Sequence, residues 1–196
     1  YIKPVIMFKS QRIQASNEAH EKFNDLIENL TASSLLDFIE RQSYLRTEEE
    51  SETLGMAHQY YLDHKDDLHD IVRDIKREMN PSRIINANDT SQSGILEKGH
   101  YEALNSLESP SNLYRVIFAV ARLTEGWDVL NLYDIVRLSD DPKARGTKAT
   151  TMSEAQLIGR GARYNPFLLN GERSFRRRFH DDSKDSLILE TLHYHT

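Results

Sequence analysis

The chain alternates short, continuous apolar runs with longer segments that have helical periodicity. The clearest runs cover residues 4–8, 83–86, 116–120 and 133–138. Short runs without polar alternation are typical of strands that are covered on both faces, as in a parallel sheet. Because strands alternate with helices along the chain, neighbouring strands must be joined by right-handed crossovers. The sequence therefore predicts an α/β fold with a mainly parallel sheet flanked by helices.

Three helices are predicted between these runs. The first begins at a cap formed by Ser16 or Asn17. Its apolar stripe consists of Ala19, Phe23, Leu26, Ile27 and Leu30. The second helix covers residues 34–41, and the third covers residues 95–107. The inward side chains of the third are Leu96, Tyr101, Leu104 and Leu107.

Residues 47–79 form an acidic segment with helical periodicity, which Asn80-Pro81 brings to an end. Apolar side chains recur there at a spacing of seven, at Leu54, Tyr61, Leu68 and Ile75. We interpret the segment as a helical insertion, at about residues 43–80, that packs this stripe on its parent domain. A coiled coil and a helix that binds a partner protein are the alternatives.

The composition is that of a globular protein with one core, at 196 residues, 38% apolar and 29% charged. We predict one domain over residues 1–196, with the start of a C-terminal extension at about 169–196. The absence of cysteine excludes disulfides and thiolate metal sites. We find no signal peptide and no run of about eighteen apolar residues, and we therefore expect a cytoplasmic protein. The first residue is Tyr1 rather than methionine, which suggests a fragment of something longer.

Charge is unevenly distributed along the chain. The net charge is −6, but residues 137–178 contain ten basic and four acidic side chains, which leaves −12 for the rest. This basic flank can form a phosphate-binding surface on an otherwise acidic protein. A solvated charged face is the alternative.

The most informative local pattern combines Gln156, Arg160 and Arg163 at positions i, i+4 and i+7 of a predicted helix. These three side chains share one helical face, so an amide and two guanidinium groups can converge on one anionic ligand. A triphosphate suits that geometry. Ser153 and Gln156 also fit the capping box Ser-x-x-Gln, which needs no ligand, and surface ion pairing is the alternative for the two arginines.

The loop after Val120 is a second candidate site, because ligands of parallel α/β sheets lie at the carboxyl ends of the strands. Gly126 permits a close approach of the backbone. Asp128 offers two acceptor oxygens for a ribose diol, or caps the loop. Trp127, the only tryptophan, either stacks on a base or anchors the core.

Both patterns resemble motifs of superfamily 2 DEAD/DEAH-type helicases. Residues 156–163 (Gln-x-x-Gly-Arg-x-x-Arg) resemble motif VI, and residues 115–128 resemble motif V. The combination of residues 125–128 (Glu-Gly-Trp-Asp) with 158–161 (Ile-Gly-Arg-Gly) is most similar to the Res (helicase/ATPase) subunit of type III restriction enzymes. The resemblance implies that the chain is the second, C-terminal RecA-like domain, with a P-loop NTPase-type fold.

The resemblance also implies residue roles. Arg163 would be the arginine finger, and Arg160 would be its partner on the γ-phosphate of ATP. Asp128 would contact the ribose, with Gly126 and Gln156 in the same nucleotide site. Arg122 and Thr124 would face the nucleic-acid backbone. We expect no metal ligand in this chain, because the Walker A and Walker B motifs that hold phosphates and Mg²⁺ are absent.

The implied activity is that of a motor that couples ATP hydrolysis to movement along duplex DNA. Its cofactors would be ATP and Mg²⁺, both bound mainly by an N-terminal RecA-like domain of the same chain. Its partners would be DNA, that domain and a modification (methyltransferase) subunit. A nuclease domain would follow Thr196, and the fragment alone would hydrolyse nothing.

Residues 173–179 interleave cations with aromatic side chains, as single-strand binding grooves do. They predict nucleic-acid contacts by Arg176, Arg177 and Arg178. The rival hypothesis is a non-catalytic DNA- or protein-binding module with a degenerate RecA-like fold that uses these arginines and the acidic helix. A repair helicase of the same superfamily is a third possibility. We interpret His193 and His195 as structural, on the expectation that they alternate across a strand.

Overall fold

A computed structural model describes residues 3–45, 52–88, 102–120, 131–138, 148–162, 167–179 and 184–195. Five strands form its main sheet: β1 (Val5–Ser10), β2 (Ile84–Asn86), β3 (Val116–Val120), β4 (Leu132–Arg137) and β7 (His193–His195). Their order is β2-β3-β1-β4-β7, and every neighbouring pair is parallel. The predicted α/β class and mainly parallel sheet are confirmed, and this architecture is compatible with a RecA-like fold.

The helices are α1 (Ile13–Asn29), α2 (Ala32–Leu45), α3 (Glu52–Asp63), α4 (Leu68–Glu78), α5 (Lys148–Gly161) and the short α6 (Lys184–Leu187). A small antiparallel hairpin pairs β5 (Leu168–Leu169) with β6 (Glu172–Arg173). The chain divides into two compact units, one of residues 1–22 and 81–196 and the other of residues 23–80. The predicted insertion at about 43–80 falls within the second unit.

The core of the first unit lies on the central strands of the sheet. Val5, Met7, Val116, Phe118 and Ile135 are fully buried, which fits strands covered on both faces. In the register of β1 and β3, Phe8 stands beside Phe118, and their rings stack at 4.8 Å. His20 of α1 packs on the same Phe118 ring, with 4.9 Å between ring centroids. This aromatic stack fixes the first turns of α1 against one face of the sheet.

The predicted start of α1 was wrong. The helix begins at Ile13, so Ser16 and Asn17 lie inside it rather than at its cap. Ser16 is completely buried, and its hydroxyl accepts a hydrogen bond from the side chain of Asn88 at 2.7 Å. The predicted apolar stripe also holds only in part, because Ile27 is buried while Leu26 is 60% exposed.

The second helix is confirmed but longer than predicted, because α2 begins two residues earlier and ends four residues later. The Thr31 hydroxyl accepts a hydrogen bond from the backbone N–H of Ser34 at 3.1 Å. The Ser34 hydroxyl accepts one from the backbone N–H of Thr31 at 2.9 Å. This reciprocal pair satisfies two donors at the helix N-terminus. It moves the first helical residue to Ala32.

The acidic segment is helical, and its end before Pro81 is confirmed. It is not one continuous helix, however, because α3 ends at Asp63 and a 3₁₀ turn at Lys65–Asp67 precedes α4. The break separates the first two positions of the seven-residue repeat from the last two, so a coiled coil over residues 54–75 is wrong. Leu68 and Val72 are buried, whereas Leu54 is 38% exposed.

Of the helix predicted at 95–107, only residues 102–107 lie within the described residues. Residues 102–104 are helical and a turn follows, so this helix ends three residues earlier than expected. Leu104 and Leu107 are buried, as predicted. No helix in the described part of the chain has both the length and the apolarity required to cross a bilayer.

We predict that Lys3 makes stability depend on pH. Its side chain is buried and donates to the Asn112 carbonyl at 2.7 Å. Burial, with a contribution from Arg115, lowers the pKa of Lys3 from 10.5 to about 8. Between these two values the folded protein has lost a proton that the unfolded chain retains, so the free energy of unfolding rises with pH.

Lys3→Met should therefore flatten the rise in urea-unfolding free energy between pH 8 and 10, measured by circular dichroism. The exposed Lys22→Met is the matched control and should keep the wild-type slope. An unchanged slope in Lys3→Met would show that the ammonium is solvated in the folded protein.

Candidate functional site

The parallel sheet brings the ends of five strands to one edge. β1 ends at Ser10, β2 at Asn86, β3 at Val120 and β4 at Arg137. The described part of the chain stops at Val120, on this carboxyl edge, and resumes at Asn131, beside the start of β4. Arg122, Thr124, Gly126 and Asp128, predicted on this loop, lie outside the described residues, as does Trp127.

Side-chain amides hold both ends of this loop. At the exit, the backbone N–H of Val120 donates to the Asn88 side-chain oxygen at 3.1 Å. At the return, the buried Asn131 amide donates to the carbonyls of Lys3 at 3.2 Å and Leu107 at 2.9 Å. Val120 and Asn131, the described residues on either side of positions 121–130, are therefore both fixed by side-chain amides.

Asn88 belongs to a polar network at the carboxyl edge. Its side-chain nitrogen donates to Ser16 Oγ at 2.7 Å and to Asn86 Oδ1 at 3.0 Å. Asn86 in turn donates to Asn17 Oδ1 at 3.0 Å. These bonds connect the ends of β2 and β3 to the first turns of α1. Sequence reasoning missed the network, although one asparagine at the end of a strand and another two residues later are a signal for polar contacts at this edge.

A second polar group lies between the ends of β1 and β4. Strands β2 and β3 lie on one side of β1, whereas β4 and β7 lie on the other side. The edge between β1 and β4 is therefore a switch point, where α/β sheets bind ligands. Arg137 Nε lies 3.2 Å from Glu154 Oε1, which ties β4 to α5. Lys9, which stands beside Arg137 in the register, is 6% exposed.

Burial lowers the pKa of Lys9, the Glu154 carboxylate opposes that shift, and Arg137 adds to it. The neighbouring Ser10 is 1% exposed, and its hydroxyl has no hydrogen-bond partner among the described residues. Sequence reasoning did not select Lys9, Ser10 or Glu154. The signal was present, because a Lys-Ser pair ends the apolar run of β1.

The helix that carries the Gln-x-x-Gly-Arg pattern is confirmed as α5, and its two faces differ. Leu157 is 2% exposed and packs in the core. A Cβ on Gly161 would meet the Leu192 and Leu132 methyls at 3.1 and 3.3 Å, so packing explains this glycine. Gln156 is exposed, and a Cβ on Gly159 would meet no atom of the described residues within 4 Å. The outer face of the helix is therefore open.

Gln156 and Arg160 stand four residues apart within α5, although the Arg160 side chain is not among the described ones. The helix ends at Gly161, and Arg163 lies outside the described residues. The capping-box alternative for Gln156 was wrong, because α5 begins at Lys148 and Ser153 lies in its interior. Capping therefore does not explain this glutamine.

The predicted arginine cluster separates into two kinds of side chain. Arg173, Arg176 and Arg177 are exposed. Arg178 instead donates to the Glu172 carbonyl at 2.7 Å, and its guanidinium lies 5.5 Å from the centre of the Phe167 ring. Arg178 therefore contributes to internal packing, while the other three are exposed, although Arg177 also donates to the Ala162 carbonyl at 3.4 Å.

The two C-terminal histidines share one face of β7. Their rings stack at 6.3 Å, and His195 Nε2 lies 2.9 Å from Asp134 Oδ1 of β4. Our expectation that they alternate across the strand was wrong, because residues two apart on a strand point to the same side. Within the described ranges, no group of three or more side chains is suited to hold a metal ion.

We predict that alanine has different effects on stability at the two glycines of α5. Gly159→Ala should raise the free energy of unfolding by up to about 1 kcal/mol, because alanine is the better helix former and the space is open. Gly161→Ala should be less stable than Gly159→Ala by about 1 kcal/mol or more, because leucine methyls must move. Urea denaturation of both variants measures this. Equal stabilities would contradict the assignment of inner and outer faces.

Comparison with known proteins supports the sequence-based resemblance. The chain is 32% identical over 156 residues to the probable type III restriction-modification enzyme HindVIP Res subunit of Haemophilus influenzae, which covers 74% of this chain and 30% of that protein. It is 47% identical over 55 residues to an uncharacterized protein of the same organism, covering 28% of this chain and 12% of the relative. The family model HI_1054_N, described as an N-terminal region, matches residues 150–196.

No solved structure matches the chain. The chain spans less than a third of the length of either relative. The long match covers most of this chain, and the shorter matches add a local similarity. The chain is thus homologous to a segment of a type III restriction-modification Res subunit.

Proposed function

We propose that this chain is the second RecA-like motor domain of an ATP-dependent DNA translocase or helicase, the Res subunit of a type III restriction enzyme. The observation that carries the proposal is α5. It presents Gln156 and Gly159 on an open face and anchors its other face on a parallel sheet through Leu157. Homology to a Res subunit supports the same function.

An anionic nucleotide fits this face. The exposed Gln156 amide can donate to a phosphate oxygen, and the absence of a side chain at Gly159 permits close approach. In the proposal, Arg160 and Arg163 hold the γ-phosphate, and Asp128 holds the ribose beside Gly126. ATP with Mg²⁺ supplies the phosphoryl group, and an N-terminal RecA-like domain of the same chain binds most of both.

The proposed role of Arg163 is electrostatic. Its guanidinium neutralises negative charge that develops during transfer of the γ-phosphoryl group to water. Arg160, one turn away, orients the same phosphate. The chain alone contributes half of such a site, and we therefore propose that it is inactive without the N-terminal domain.

DNA binding in the proposal uses the loop that leaves β3. Arg122 and Thr124 follow Val120 closely, and the Asn88 amide fixes the start of this loop. The two side chains contact the DNA backbone, while Arg176 and Arg177 add phosphate contacts. Further proposed partners are a modification (methyltransferase) subunit and a nuclease domain in the complete restriction enzyme.

Arg163→Ala in the full-length protein should reduce DNA-stimulated ATP turnover by about 10³-fold or more, because removal of an arginine finger costs about 10³–10⁵ in related phosphoryl-transfer enzymes. DNA affinity should stay close to wild type. The measurement is steady-state ATP hydrolysis at saturating DNA, with affinity from fluorescence anisotropy. Arg41→Ala, at an exposed position of α2, is the matched arginine control.

Undiminished turnover in Arg163→Ala would move the function away from ATP chemistry. Gly159→Ala is a second test of the proposed nucleotide site. This change is expected to preserve the fold, so a loss of turnover would locate a ligand over the outer face of α5.

The rival function, a non-catalytic DNA-binding module, is favoured by the exposure of Arg173, Arg176 and Arg177. Arg176→Ala and Arg177→Ala should each weaken DNA binding and reduce the slope of log K against log salt by about 0.7–0.9 per lost phosphate contact. Arg73→Ala, on the exposed face of α4, should leave the slope unchanged. Flattened slopes combined with full turnover in Arg163→Ala would establish the rival.

A further inference from the structure

Phe175 is the most exposed large apolar side chain in the described part of the chain. It is 79% accessible to solvent, compared with 60% for Leu26 and 55% for Phe38. A phenylalanine so exposed contributes little to folding, since almost none of its apolar surface leaves water. Packing therefore does not explain the phenylalanine at this position, and the residues around it decide what it can contact.

The segment that presents Phe175 is fixed at its first end by the β5–β6 hairpin. Leu168 pairs with Arg173 and Leu169 with Glu172. Asn170 and Gly171 form the two-residue turn with φ of 53° and 83°. Such a turn suits a tight hairpin, because its twist matches that of the strands. β6 then ends two residues before Phe175.

The other end of the segment is fixed by a buried carboxylate. Glu190 is 6% exposed and accepts the backbone N–H groups of Arg178 at 2.9 Å and Phe179 at 3.2 Å. The ring of Phe179 stacks on that of Phe167 at 6.2 Å, and Arg178 lies over the same Phe167 ring. These contacts attach residues 178 and 179 to the body of the domain.

Between these anchors, Ser174 shapes the turn around Phe175. Its hydroxyl accepts the Arg176 N–H at 3.1 Å and donates to the Arg176 carbonyl at 2.8 Å. Phe175 therefore stands in the middle of a turn closed by its two neighbours. The backbone that carries the ring is therefore ordered before a ligand binds, which reduces the conformational entropy lost on binding.

The charges around Phe175 indicate the chemistry of that ligand. Arg173, Arg176 and Arg177 are exposed, and Glu172 is the one acidic residue between positions 168 and 177. Cations that flank an exposed aromatic ring suit a ligand with alternating phosphates and flat bases. A purely apolar protein contact would bring the three guanidinium groups out of water without anionic partners, which is unfavourable.

We propose that Phe175 stacks on an unpaired DNA base while Arg173, Arg176 and Arg177 contact the phosphates on either side of it. The inference deepens the proposed function and rests on its DNA partner. Bases in a closed duplex are covered by their neighbours, so the ligand is single-stranded DNA or a base exposed at a strand opening. Residues 173–177 form this stacking turn.

The test is binding of a fluorescein-labelled single-stranded oligonucleotide by the full-length protein. Phe175→Ala and Phe175→Leu should both weaken binding by about 5- to 150-fold, the range that one base–aromatic stack supplies. The slope of log K against log salt should not change, because no phosphate contact is lost. Phe175→Trp should bind within a few-fold of wild type, with indole fluorescence that is quenched by DNA beyond the wild-type change.

Phe38→Ala is the matched control, since it removes an exposed phenylalanine from the other compact unit and should leave binding unchanged. A blunt duplex of the same length should bind Phe175→Ala and wild type equally. Wild-type affinity in Phe175→Leu would overturn stacking in favour of simple apolar contact. Wild-type DNA affinity in Phe175→Ala, with loss of association with a protein subunit, would assign the ring to a protein partner.

Failure of this inference is separable from failure of the proposed function. If DNA-stimulated turnover collapses in Arg163→Ala while the Phe175 variants bind DNA normally, only the stacking turn is overturned. If turnover is insensitive to Arg163 but the Phe175 variants lose single-stranded DNA, the motor assignment is overturned and the stacking turn stands.

Discussion

The parallel arrangement of the sheet is the constraint from which the rest of the first unit follows. β1 lies at the centre, with β3 and β4 parallel to it on either side. Between two parallel strands the chain must return to the amino edge of the sheet before the next strand begins. Helices and loops therefore leave from one edge, and every candidate ligand-binding segment except the stacking turn starts there.

That edge carries polar groups which the fold keeps out of bulk water. Lys9 and Ser10 end the buried central strand, and Asn88 binds the end of β3. Buried polar groups cost free energy unless they are hydrogen-bonded, and Asn88 meets this requirement with several partners. Burial also lowers the pKa of Lys9, so its side chain binds a proton less tightly than a lysine at the surface does. The polar edge thus reduces stability at the place where parallel sheets bind ligands.

The sequence predicted elements well and their ends less well, for a physical reason. Apolar runs such as Val116–Val120 become strands because local pattern and tertiary burial favour the same state. The start of α1 was missed because the Ser16 hydroxyl is used by Asn88, which lies 72 residues away and leaves no local signature. The break between α3 and α4 was missed because a seven-residue repeat reports apolar spacing and not helix continuity.

The sequence shows which residue types are present at the candidate site. It does not show which of them the fold requires for packing and which are exposed. In the sequence, Gly159 and Gly161 are two glycines of one motif with nothing local to tell them apart. The structure distinguishes them, because Gly161 is required by Leu132 and Leu192 while Gly159 faces open space. It likewise separates Arg178, which packs on Phe167, from the exposed Arg176 and Arg177. In both cases, neighbours that are distant in the sequence decide which residues pack inside the protein and which are exposed.

The division of charge between the two units bears on how the proposed DNA partner is bound. Residues 23–80 contain 14 acidic and 6 basic side chains, a net charge of −8, which leaves +2 for residues 1–22 and 81–196. A field of this kind does not attract a polyanion at long range, and salt screens it beyond about 10 Å. Affinity for DNA must then come from contacts at short range. Exposed guanidinium groups around a fixed aromatic ring provide such contacts, because stacking is independent of net charge and phosphate pairing acts within the screening distance.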